Sequence, residues 1–459
     1  MKAQAALAGL WQLGGLPQEA LGCAALTGQD PAWPSSFAVA TAAQSTIAAA
    51  ALAACEVGHV RGQARQSVSV DAAHACAECL GWFSLDGQVP ELWDKFSGLY
   101  RTADGWVRVH ANFAHHRDGA LRLLGLDPAT AARADAEAAM LRWKALDFEQ
   151  AAADAGLVAT ALRSFAEWDA SPQGQAIAAQ PLMTITRVGD AAPLTLPLLR
   201  DDQRPLEGVR VLDLTRILAG PVGGRALAAY GADVMLVNSP QLPNIEAIAD
   251  TSRGKRSALV DLRSDEGRVT MHTLLRDAHV FVQGYRPGGL QQLGFGVEQV
   301  AAARPGIVYV SLSAYGPHGP WSGRRGFDSL VQTASGFNLA EGEAAGSPGK
   351  PRPLPMQILD QATGYLIAFG AAAALRRQQL EGGSWHVQVS LAQTGRWLRA
   401  LGRVEGGLAA QAPALDAWLE TSASGFGELR AVRHSAQLSR TPAAWTRPSM
   451  PPGSAPAHW

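Results

Sequence analysis

This chain has few cysteines and few charged residues. The small number of cysteines does not favour a metal centre, and the low charge does not favour a nucleic-acid ligand. Four cysteines occur among 459 residues, and the one C-x-x-C pair, Cys76 and Cys79, is not followed by a second pair. The segment around this pair has a helical pattern, so we expect buried thiols in a reducing compartment rather than a zinc site. Charged residues make up 17% of the chain and the formal net charge is −1, which gives no reason to expect nucleic acid or a membrane surface as a partner.

Targeting and cofactor signals are also missing. The start, MKAQAALAGLWQLGG, has no signal-peptide cleavage site, and apolar runs such as TIAAAALAAC are shorter than a bilayer-spanning helix requires. No G-x-G-x-x-G follows the strand pattern GVRVLDL, because GPVGG has the wrong spacing, and no P-loop occurs. We therefore expect a soluble cytoplasmic protein without a metal or a permanently bound cofactor.

The character of the sequence changes near residue 200. The chain is long enough for two or three domains, and residues 191–207, rich in Pro and Asp, indicate a linker between residues 1–190 and 208–459. After the linker, helical patterns alternate with short β-rich runs, namely GVRVLDL, DVMLV, SALVDL, HVFVQG and IVYVSL. This alternation predicts right-handed βαβ crossovers and a mainly parallel, Rossmann-like sheet in an α/β domain.

Residues 1–190 have an α+β pattern and echo part of the second half. The segment LYRTADGWVRVHANF predicts a hairpin that turns at Ala103-Asp104-Gly105. His110, His115 and His116 follow closely, and without a completing carboxylate or cysteine they are interpreted as core or solvated histidines. Residues 42–75 resemble residues 360–395: each has an Ala-rich helix, a Gly turn, a V-x-V strand and another helix. We interpret residues 1–190 as a half-copy that carries a small α+β domain.

Asp360 is the only charge between Arg352 and Arg376, at the start of an apolar, Ala-rich stretch. Its residue type allows two interpretations. An Asp is a favoured helix N-cap, and a helix N-terminus favours negative charge. A carboxylate in apolar surroundings also suits nucleophilic chemistry. In the first copy the equivalent place falls near Thr41, and since Thr also caps helices, an Asp in only one copy favours chemistry.

Five ordered blocks make the second half resemble the class III coenzyme A-transferases, the relatives of formyl-CoA and carnitine-CoA transferases. They are GVRVLDLTRILAGPVGGRALAAYGADVMLVNSP, RGKRSALVDLRSDEG, GYRPGGLQQLGFG, VYVSLSAYGPHGP and GFDSLVQTASG, within about residues 205–400. The resemblance implies a Rossmann-like large domain, a smaller α+β domain and an interlocked homodimer. It also implies transfer of CoA between an acyl-CoA and a carboxylic acid through an aspartyl anhydride and an aspartyl-CoA thioester, with Asp360 as the nucleophile.

The same resemblance places contacts to the CoA substrate on residues in four separate loops. They are Leu218, Ala219, Leu262, Arg263, Gly284, Tyr285, Arg286, Ser313, Tyr315 and Gly316. Arginine is suited to the phosphates of CoA, which makes Arg286 a candidate phosphate ligand. Tyr315 either lines the thioester site or packs in the core, and both possibilities stay open at this point.

Three departures from the family pattern leave alternatives to the transferase open. Gly284 stands where the family usually has Asn, Asn238 stands where an acidic residue is expected, and no mobile Gly-rich loop is recognisable. The related 2-methylacyl-CoA racemases use a His–Asp pair, and the position of that His is Phe327 here, so the transferase is preferred. The alternatives are a racemase-like or isomerase-like enzyme and a non-catalytic CoA-binding subunit.

Overall fold

The computed structural model describes residues 2–459, whose elements fall into four consecutive groups. The first contains α1 (Lys2–Gly14), a 3-10 helix (Gln18–Cys23), β1 (Ala24–Thr27), α2 (Val39–Val60), β2 (Val68–Asp71), α3 (Ala72–Cys79) and β3 (Phe83–Leu85). The second contains β4 (Gly98–Arg101), β5 (Trp106–Val109), α4 (Ala114–Leu123), α5 (Arg133–Met140), α6 (Ala145–Asp154), β6 (Ala159–Ala161), α7 (Phe165–Ala170) and α8 (Pro172–Ala178).

The third group forms the large domain and the fourth returns to it. The third contains β7 (Met183–Gly189), β8 (Arg210–Leu214), α9 (Ala219–Ala229), β9 (Asp233–Asn238), α10 (Ile248–Thr251), β10 (Lys255–Leu259), α11 (Asp265–Arg276), β11 (Val280–Gln283), α12 (Gly289–Gln292), α13 (Val297–Ala303), β12 (Val308–Ser313), α14 (Asp328–Ala334), α15 (Phe337–Ala344), α16 (Ile358–Glu381), β13 (Ser384–Ser390) and α17 (Leu391–Ala400). The fourth contains two 3-10 helices (Gly407–Ala409, Asp416–Trp418), β14 (Leu419–Ser424), β15 (Gly427–Val432) and β16 (Gln437–Leu438).

A seven-stranded sheet forms the centre of the large domain. Its order is β10-β9-β8-β11-β12-β13-β7, and the pairs between β10 and β13 are all parallel. Without the edge strand β7, the other six strands have the order found in doubly wound nucleotide-binding folds. Most residues of its central strands are buried, as expected where helices cover both faces. The predicted parallel sheet is confirmed.

The sheet also crosses the segment predicted to be a linker. Strand β7 comes from before that segment and pairs antiparallel with β13, so that Met183 lies opposite Val389. In return, β16 from the C-terminal group pairs antiparallel with β2 in the first group. Each half of the chain thus adds a strand to a sheet of the other. The sequence did not predict this exchange, because an edge strand carries no signal for which open edge it meets.

Helices α2 and α16 are long, apolar and packed against each other. By length and composition both could cross a membrane, contrary to the expectation that the apolar runs are too short. In this structure, however, their most apolar windows are 100% and 94% buried inside the protein, which is the packing of core helices. After each helix follow a strand and another helix, β2 and α3 or β13 and α17, as the repeat predicted.

The glycines of GPVGG allow α9 to approach α16 closely. A Cβ atom on Gly223 would lie 2.7 Å from Cγ2 of Ile367, and a Cβ atom on Gly364 would lie 2.7 Å from the carbonyl oxygen of Ala219. A Cβ atom on Gly224 would lie 2.9 Å from Nζ of Lys255, which forms a fully buried ion pair with Asp213 at 2.8 Å. This glycine run therefore serves close packing, and Lys255 is a core residue.

A buried carboxylate, Glu78, joins three groups of the chain. It accepts a hydrogen bond from the Tyr365 hydroxyl at 2.5 Å and one from the backbone N–H of Ser435 at 2.7 Å, and Nδ1 of His434 lies 2.9 Å away. The guanidinium of Arg225 lies 3.8 Å away. These partners hold the pKa of Glu78 well below its usual range although burial opposes this. Glu78 therefore connects the first group to the large domain and to the C-terminal group.

Candidate active site

Asp360 is the third residue of α16, at the helix N-terminus. The N-cap residue is Gln357, whose side chain makes no capping hydrogen bond. The side chain of Asp360 is buried at 8% exposure, and its carboxylate accepts no hydrogen bond from any residue within 2–459. The interpretation of Asp360 as a helix cap is therefore wrong for its side chain.

The cap of α16 comes instead from Asp328, at the start of α14. Its Oδ2 accepts the backbone N–H of Asp360 at 2.8 Å, and its Oδ1 accepts a bond from Nε2 of Gln332 at 2.5 Å. Asp328 is fully buried. An oxygen acceptor at this place satisfies a backbone donor that the first turn of the helix leaves free. The carboxylate of Asp360 is thus available for other contacts.

Burial and the neighbouring acid both change the acidity of this pair. Burial raises the pKa of Asp360 well above its usual value, and the charge of Asp328 raises it further. Burial also raises the pKa of Asp328, to about 6, although its hydrogen bonds oppose the rise. A raised pKa makes an ionised carboxylate a stronger base and a better nucleophile.

A cavity of about 500 Å³, here called the Asp360 cavity, lies in front of this carboxylate. The large domain contributes Asp360, Leu218 and Phe327 to its lining, and residues before β4 and after β5 contribute Trp93 and His110. The small domain of the same chain therefore forms part of the wall that faces Asp360. Side chains packed around a reactive group limit the access of water to it.

A second cavity of about 320 Å³, the basic cavity, lies beside the first. Its lining includes Arg216, Arg286, Arg324, Arg325, His115 and His116. In the described part of the chain, Arg216, Arg286 and Arg325 form no ion pair with a carboxylate. Burial lowers the pKa of His116 to about 3, and the charges of the neighbouring basic groups add to this effect. Positive charge without acidic partners is suited to a polyanionic ligand such as a phosphate-bearing molecule.

Two residues, Ile217 and Phe327, line both cavities and mark where they meet. Ile217 has φ = 76°, a left-handed conformation that is a genuine outlier for a β-branched residue. Such strain is concentrated at functional sites, where the surrounding structure holds it in place. The loop between β8 and α9 is therefore held in a strained form at the junction of the cavities.

The structure brings together half of the predicted CoA contacts. Gly284, Tyr285, Arg286 and Ser313 line the basic cavity, and Leu218 lines the Asp360 cavity beside Asp360 itself. The other five predicted contacts, Ala219, Leu262, Arg263, Tyr315 and Gly316, line neither cavity.

Local packing explains where the residues outside the cavities lie. Arg263 pairs with Asp261 at 3.2 Å on the surface. Tyr315 is buried and packs edge-on against Trp321, with ring centroids 5.0 Å apart, so the structure favours the packing role left open for it.

Sequence reasoning missed most of the basic cavity and the small-domain wall. The adjacent pair Arg324 and Arg325 was a usable signal, because it immediately precedes the GFDSL block. His110 was interpreted as a core or solvated histidine, but it lines the Asp360 cavity and stacks on Phe327 with centroids 3.8 Å apart. No sequence signal marks the strained conformation of Ile217.

The family model described as CoA-transferase family III matches residues 206–414. This range contains Asp360, Asp328 and most of the basic cavity. The chain belongs to CoA-transferase family III.

Curated relatives of this family III chain carry related descriptions. An acyl-CoA transferase of Gibberella moniliformis is 30% identical over 73% of this chain and 66% of its own length. A probable fatty acyl-CoA transferase of Mycobacterium tuberculosis is 34% identical over 41% of this chain and 50% of its own length. A succinate–glutarate CoA-transferase of Agrobacterium fabrum is 33% identical over 41% and 51%. The chain thus spans between half and about two thirds of the length of these relatives.

Solved structures with partial similarity come from two bacteria. A crystal structure of Rv3272 from M. tuberculosis is 32% identical over 43% of this chain and 58% of that one, with a TM-score of 0.40. A crystal structure of a CAIB/BAIF family protein from Brucella suis is 26% identical over 49% and 65%, with a TM-score of 0.38.

Proposed function

We propose that this protein is an acyl-CoA:carboxylate CoA-transferase in which Asp360 is the nucleophile. The observation that carries the proposal is a buried carboxylate at a helix N-terminus, without a hydrogen-bond partner, facing a cavity beside a second, cationic cavity. Its family membership and the descriptions of its relatives support the same reaction class.

The proposed reaction begins with attack of an Asp360 oxygen on the thioester carbonyl of the acyl-CoA. The C–S bond breaks, CoA leaves as a thiolate, and a mixed anhydride joins Asp360 to the acyl group. The thiolate then attacks the Asp360 carbonyl carbon of that anhydride, the C–O bond breaks, and the free acid leaves an aspartyl-CoA thioester. A second acid enters and the same two steps run in reverse, which releases the new acyl-CoA and the Asp360 carboxylate.

The two cavities are suited to the two ends of the acyl-CoA substrate. The cations of the basic cavity would bind CoA phosphates, where Arg216, Arg286 and Arg325 have no competing carboxylate. The Asp360 cavity would hold the thioester and the acyl group and keep water from the anhydride, which hydrolyses readily. The pantetheine arm would pass from one cavity to the other beside the strained Ile217 and the Phe327 ring, which line both cavities.

The experiment that tests the proposal is mass spectrometry of the intact protein after incubation with a panel of acyl-CoA thioesters. We expect a mass increase equal to CoA less one water, from a thioester that is linked through Asp360 and is removed by hydroxylamine. The matched control is Asp360→Asn, which keeps size and polarity and should form no adduct. An adduct of equal yield in this variant would rule out the proposed nucleophile.

A racemase-like enzyme is the second candidate, and the position of His110 is the observation that supports it. Its ring lines the same cavity as Asp360, and its pKa is lowered to about 3 by burial and by neighbouring cations, so the imidazole is neutral at pH 7. Incorporation of deuterium at C2 of a 2-methylacyl-CoA, without exchange of CoA between acids, would favour this reaction over transfer.

A non-catalytic CoA-binding subunit is the third candidate, and it predicts CoA binding that Asp360→Ala leaves unchanged, with no adduct across the panel. The interlocked homodimer and the cytoplasmic location also stay predictions. Because the small domain already faces Asp360 within one chain, light scattering of the purified protein would show whether a second copy is present.

A further inference from the structure

Gln361, the residue after Asp360 in α16, has a buried side chain without a hydrogen-bond partner. It is 1% exposed and lines the Asp360 cavity. Its Oε1 is fully buried and accepts no hydrogen bond, and its Nε2 donates to no group in residues 2–459. A buried carboxamide in this state costs free energy, because it has given up hydrogen bonds to water without replacing them.

The other buried glutamines of residues 2–459 all form side-chain hydrogen bonds. The best comparison is Gln378, which lies on the same helix and is also 1% exposed. Its Oε1 accepts the backbone N–H of Leu194 at 3.1 Å, and its Nε2 donates to the carbonyl oxygen of Ala192 at 3.0 Å. Gln361 is therefore the exception, and a buried polar group without a partner requires an explanation.

The amide nitrogen of Gln361 lies at the wall of the cavity. A Cβ atom on Gly81 would lie 3.3 Å from Nε2 of Gln361, and Gly81 itself lines the cavity. Because Oε1 is fully buried, the amide N–H groups are the polar part of this side chain that can reach a ligand. Gln361 follows Asp360 in one helix, so its backbone has a fixed position relative to the nucleophile.

The backbone donors at this helix start are already used. The N–H of Asp360 donates to Oδ2 of Asp328 at 2.8 Å, and the N–H of Gln361 donates to the carbonyl oxygen of Gln357 at 3.0 Å. An anion that forms beside Asp360 therefore finds no free backbone N–H on these two residues. The side-chain amide of Gln361 is the free donor next to the nucleophile.

We propose that the Gln361 amide is the hydrogen-bond donor for the oxyanion that forms when Asp360 attacks the thioester. The inference rests on the proposed function. An Asp360 oxygen adds to the thioester carbonyl carbon, an electron pair of the C=O bond moves onto its oxygen, and Nε2 donates to that oxygen. The C=O bond then re-forms, the C–S bond breaks and the thiolate leaves, so Gln361 transfers no proton. A donor that is already in place and has no other partner stabilises this charge without rearrangement.

The start of α2 agrees with this assignment. Its fourth residue is Ala42, where α16 has Gln361, and its third is Thr41, where α16 has Asp360. The helix start that faces the Asp360 cavity thus has both the carboxylate and the amide, and the other has neither. This joint difference is expected if both groups act on the same substrate.

The carboxylates at the cavity do not supply such a donor when they are ionised. Glu91 and Glu246 line the cavity but are exposed, so water and salt screen their charges. Asp94 also lines it and is half-buried. It accepts the backbone N–H of Phe96 at 2.8 Å and pairs with Arg117 at 3.5 Å, which compensates its negative charge.

Three other side-chain donors line the cavity without a hydrogen bond in residues 2–459, namely Trp93, His110 and Gln357. Trp93 and Gln357 are half-buried, so water can satisfy them. His110 is buried, but it lies in the small domain and not on the helix of Asp360. His110→Phe, which keeps the stack on Phe327, is therefore the comparison variant.

The first test is the single-turnover rate at which the aspartyl-CoA adduct forms, measured by quenched-reaction mass spectrometry with the acyl-CoA that reacts fastest with the wild type. Gln361→Met keeps the length and removes the donor, so this rate should fall about 10²–10³-fold, the scale for loss of one oxyanion donor. Gln361→Asn, which keeps an amide on a shorter side chain, should lose less.

Two further readouts separate this role from changed binding or acidity. Kd of the acyl-CoA and the acid limb of the pH–rate profile should stay unchanged in Gln361→Met, because the amide carries no charge and binds only the oxyanion. A weaker Kd that accounts for the loss, or a shifted acid limb, would overturn the inference, since the variant would then act on substrate binding or on the acidity of Asp360.

Gln378→Met is the matched control on the same helix and at equal burial. It loses two hydrogen bonds, so its Tm should fall while the rate of adduct formation stays at the wild-type value. Gln361→Met should instead keep or raise Tm, because it removes an unpaired buried amide. A lower Tm with an unchanged rate in Gln361→Met would make Gln361 a structural residue.

Three results of the rate measurement would also overturn the inference. Adduct formation at the wild-type rate in Gln361→Met, with none in Asp360→Asn, would reject the donor and keep the transferase. A loss of rate in His110→Phe but not in Gln361→Met would assign the donor to His110. Failure of every acyl-CoA to form an adduct with the wild type would reject the transferase, and the inference with it.

Discussion

Helices α2 and α16 are capped in the same way but carry different polar groups at their third residue. In α2, the carboxylate of Asp30 accepts the backbone N–H groups of Ala40 and Thr41, both at 3.1 Å. In α16, Asp328 accepts the N–H of Asp360. Each helix is thus capped by an Asp from an earlier segment of the chain. The third residue of the helix is Thr41 in one case and Asp360 in the other.

The difference supports a functional role for the acid at that third position. The hydroxyl of Thr41 donates to the capping Asp30 at 2.5 Å, so that helix start is fully paired. Asp360 cannot donate in the same way when it is ionised, and it remains unpaired beside a second acid. An arrangement that opposes stability and faces a cavity is typical of a functional group rather than a structural one.

Asp360→Thr gives α16 the third residue of α2 and should have the largest effect. A hydroxyl cannot form the aspartyl thioester, so CoA exchange between acids should fall by at least about 10³-fold, as for loss of a covalent nucleophile. Exchange kinetics with a labelled acid measure it, and unchanged Kd for CoA is the control. Activity above about a hundredth of the wild-type rate would contradict the assigned role.

Thr41→Asp makes the opposite change and should destabilise the protein. Thr41 is buried, and its replacement would place a second carboxylate against Asp30 and remove a hydrogen bond. We expect a loss of about 3 kcal/mol at neutral pH, the scale for a buried unpaired charge. Denaturant unfolding measures it, and Thr41→Ser, which keeps the hydroxyl, is the control. Unchanged stability would show that the two helix starts are not comparable.

Asp30→Ala removes the cap of α2 and should have an intermediate effect. Three hydrogen bonds end on this carboxylate, and loss of an N-cap costs about 0.5–2 kcal/mol. Asp30→Asn keeps an acceptor oxygen and should lose less. We expect CoA exchange to stay at the wild-type rate in both variants, because the proposed nucleophile lies at the start of α16 and not of α2.

Asp328→Asn should have the smallest effect, visible as a shift in pH dependence. The amide oxygen can still accept the N–H of Asp360, but the charge that raises the Asp360 pKa is gone. The acid limb of the rate profile should therefore move to lower pH. An unchanged limb would show that a different group limits the rate.

Asp328→Asn should also change how the stability of the protein depends on pH. In the wild type both acids have raised pKa values, so the folded state binds more protons and stability falls as pH rises from the unfolded pKa through the folded ones. Asp328→Asn should thus gain Tm near pH 7 and lose that gain below about pH 4, where both groups are protonated in either state.

The sequence predicted the parts of the fold that follow from local periodicity. Strands β8, β9, β11 and β12 were recognisable because their residues are almost continuously apolar, and the hairpin of β4 and β5 because its turn contains Asp104-Gly105. The place of β7 at the edge of the large sheet was not recognisable, since pairing between distant segments leaves no local pattern.

The candidate site was predictable only where a residue stands out in its local sequence. Asp360 stood out as an isolated charge, and Arg286 as a cation beside Pro287-Gly288. Trp93 and His110 come from more than two hundred residues before Asp360, so only the packing of the small domain brings them to the Asp360 cavity. The role of Asp328 depends on a backbone contact, which no side-chain pattern reveals.

Each half of the chain supplies one strand, β7 or β16, to a sheet of the other half, so expressing the halves separately should affect both. A break within residues 191–207 would leave each fragment with an open sheet edge and a stray strand that belongs to the other. Unpaired edges of this kind associate with whatever strand they meet. The two fragments expressed separately should therefore aggregate. Coexpressed in one cell, they should associate through β7 and β16 and copurify as a native complex of two chains.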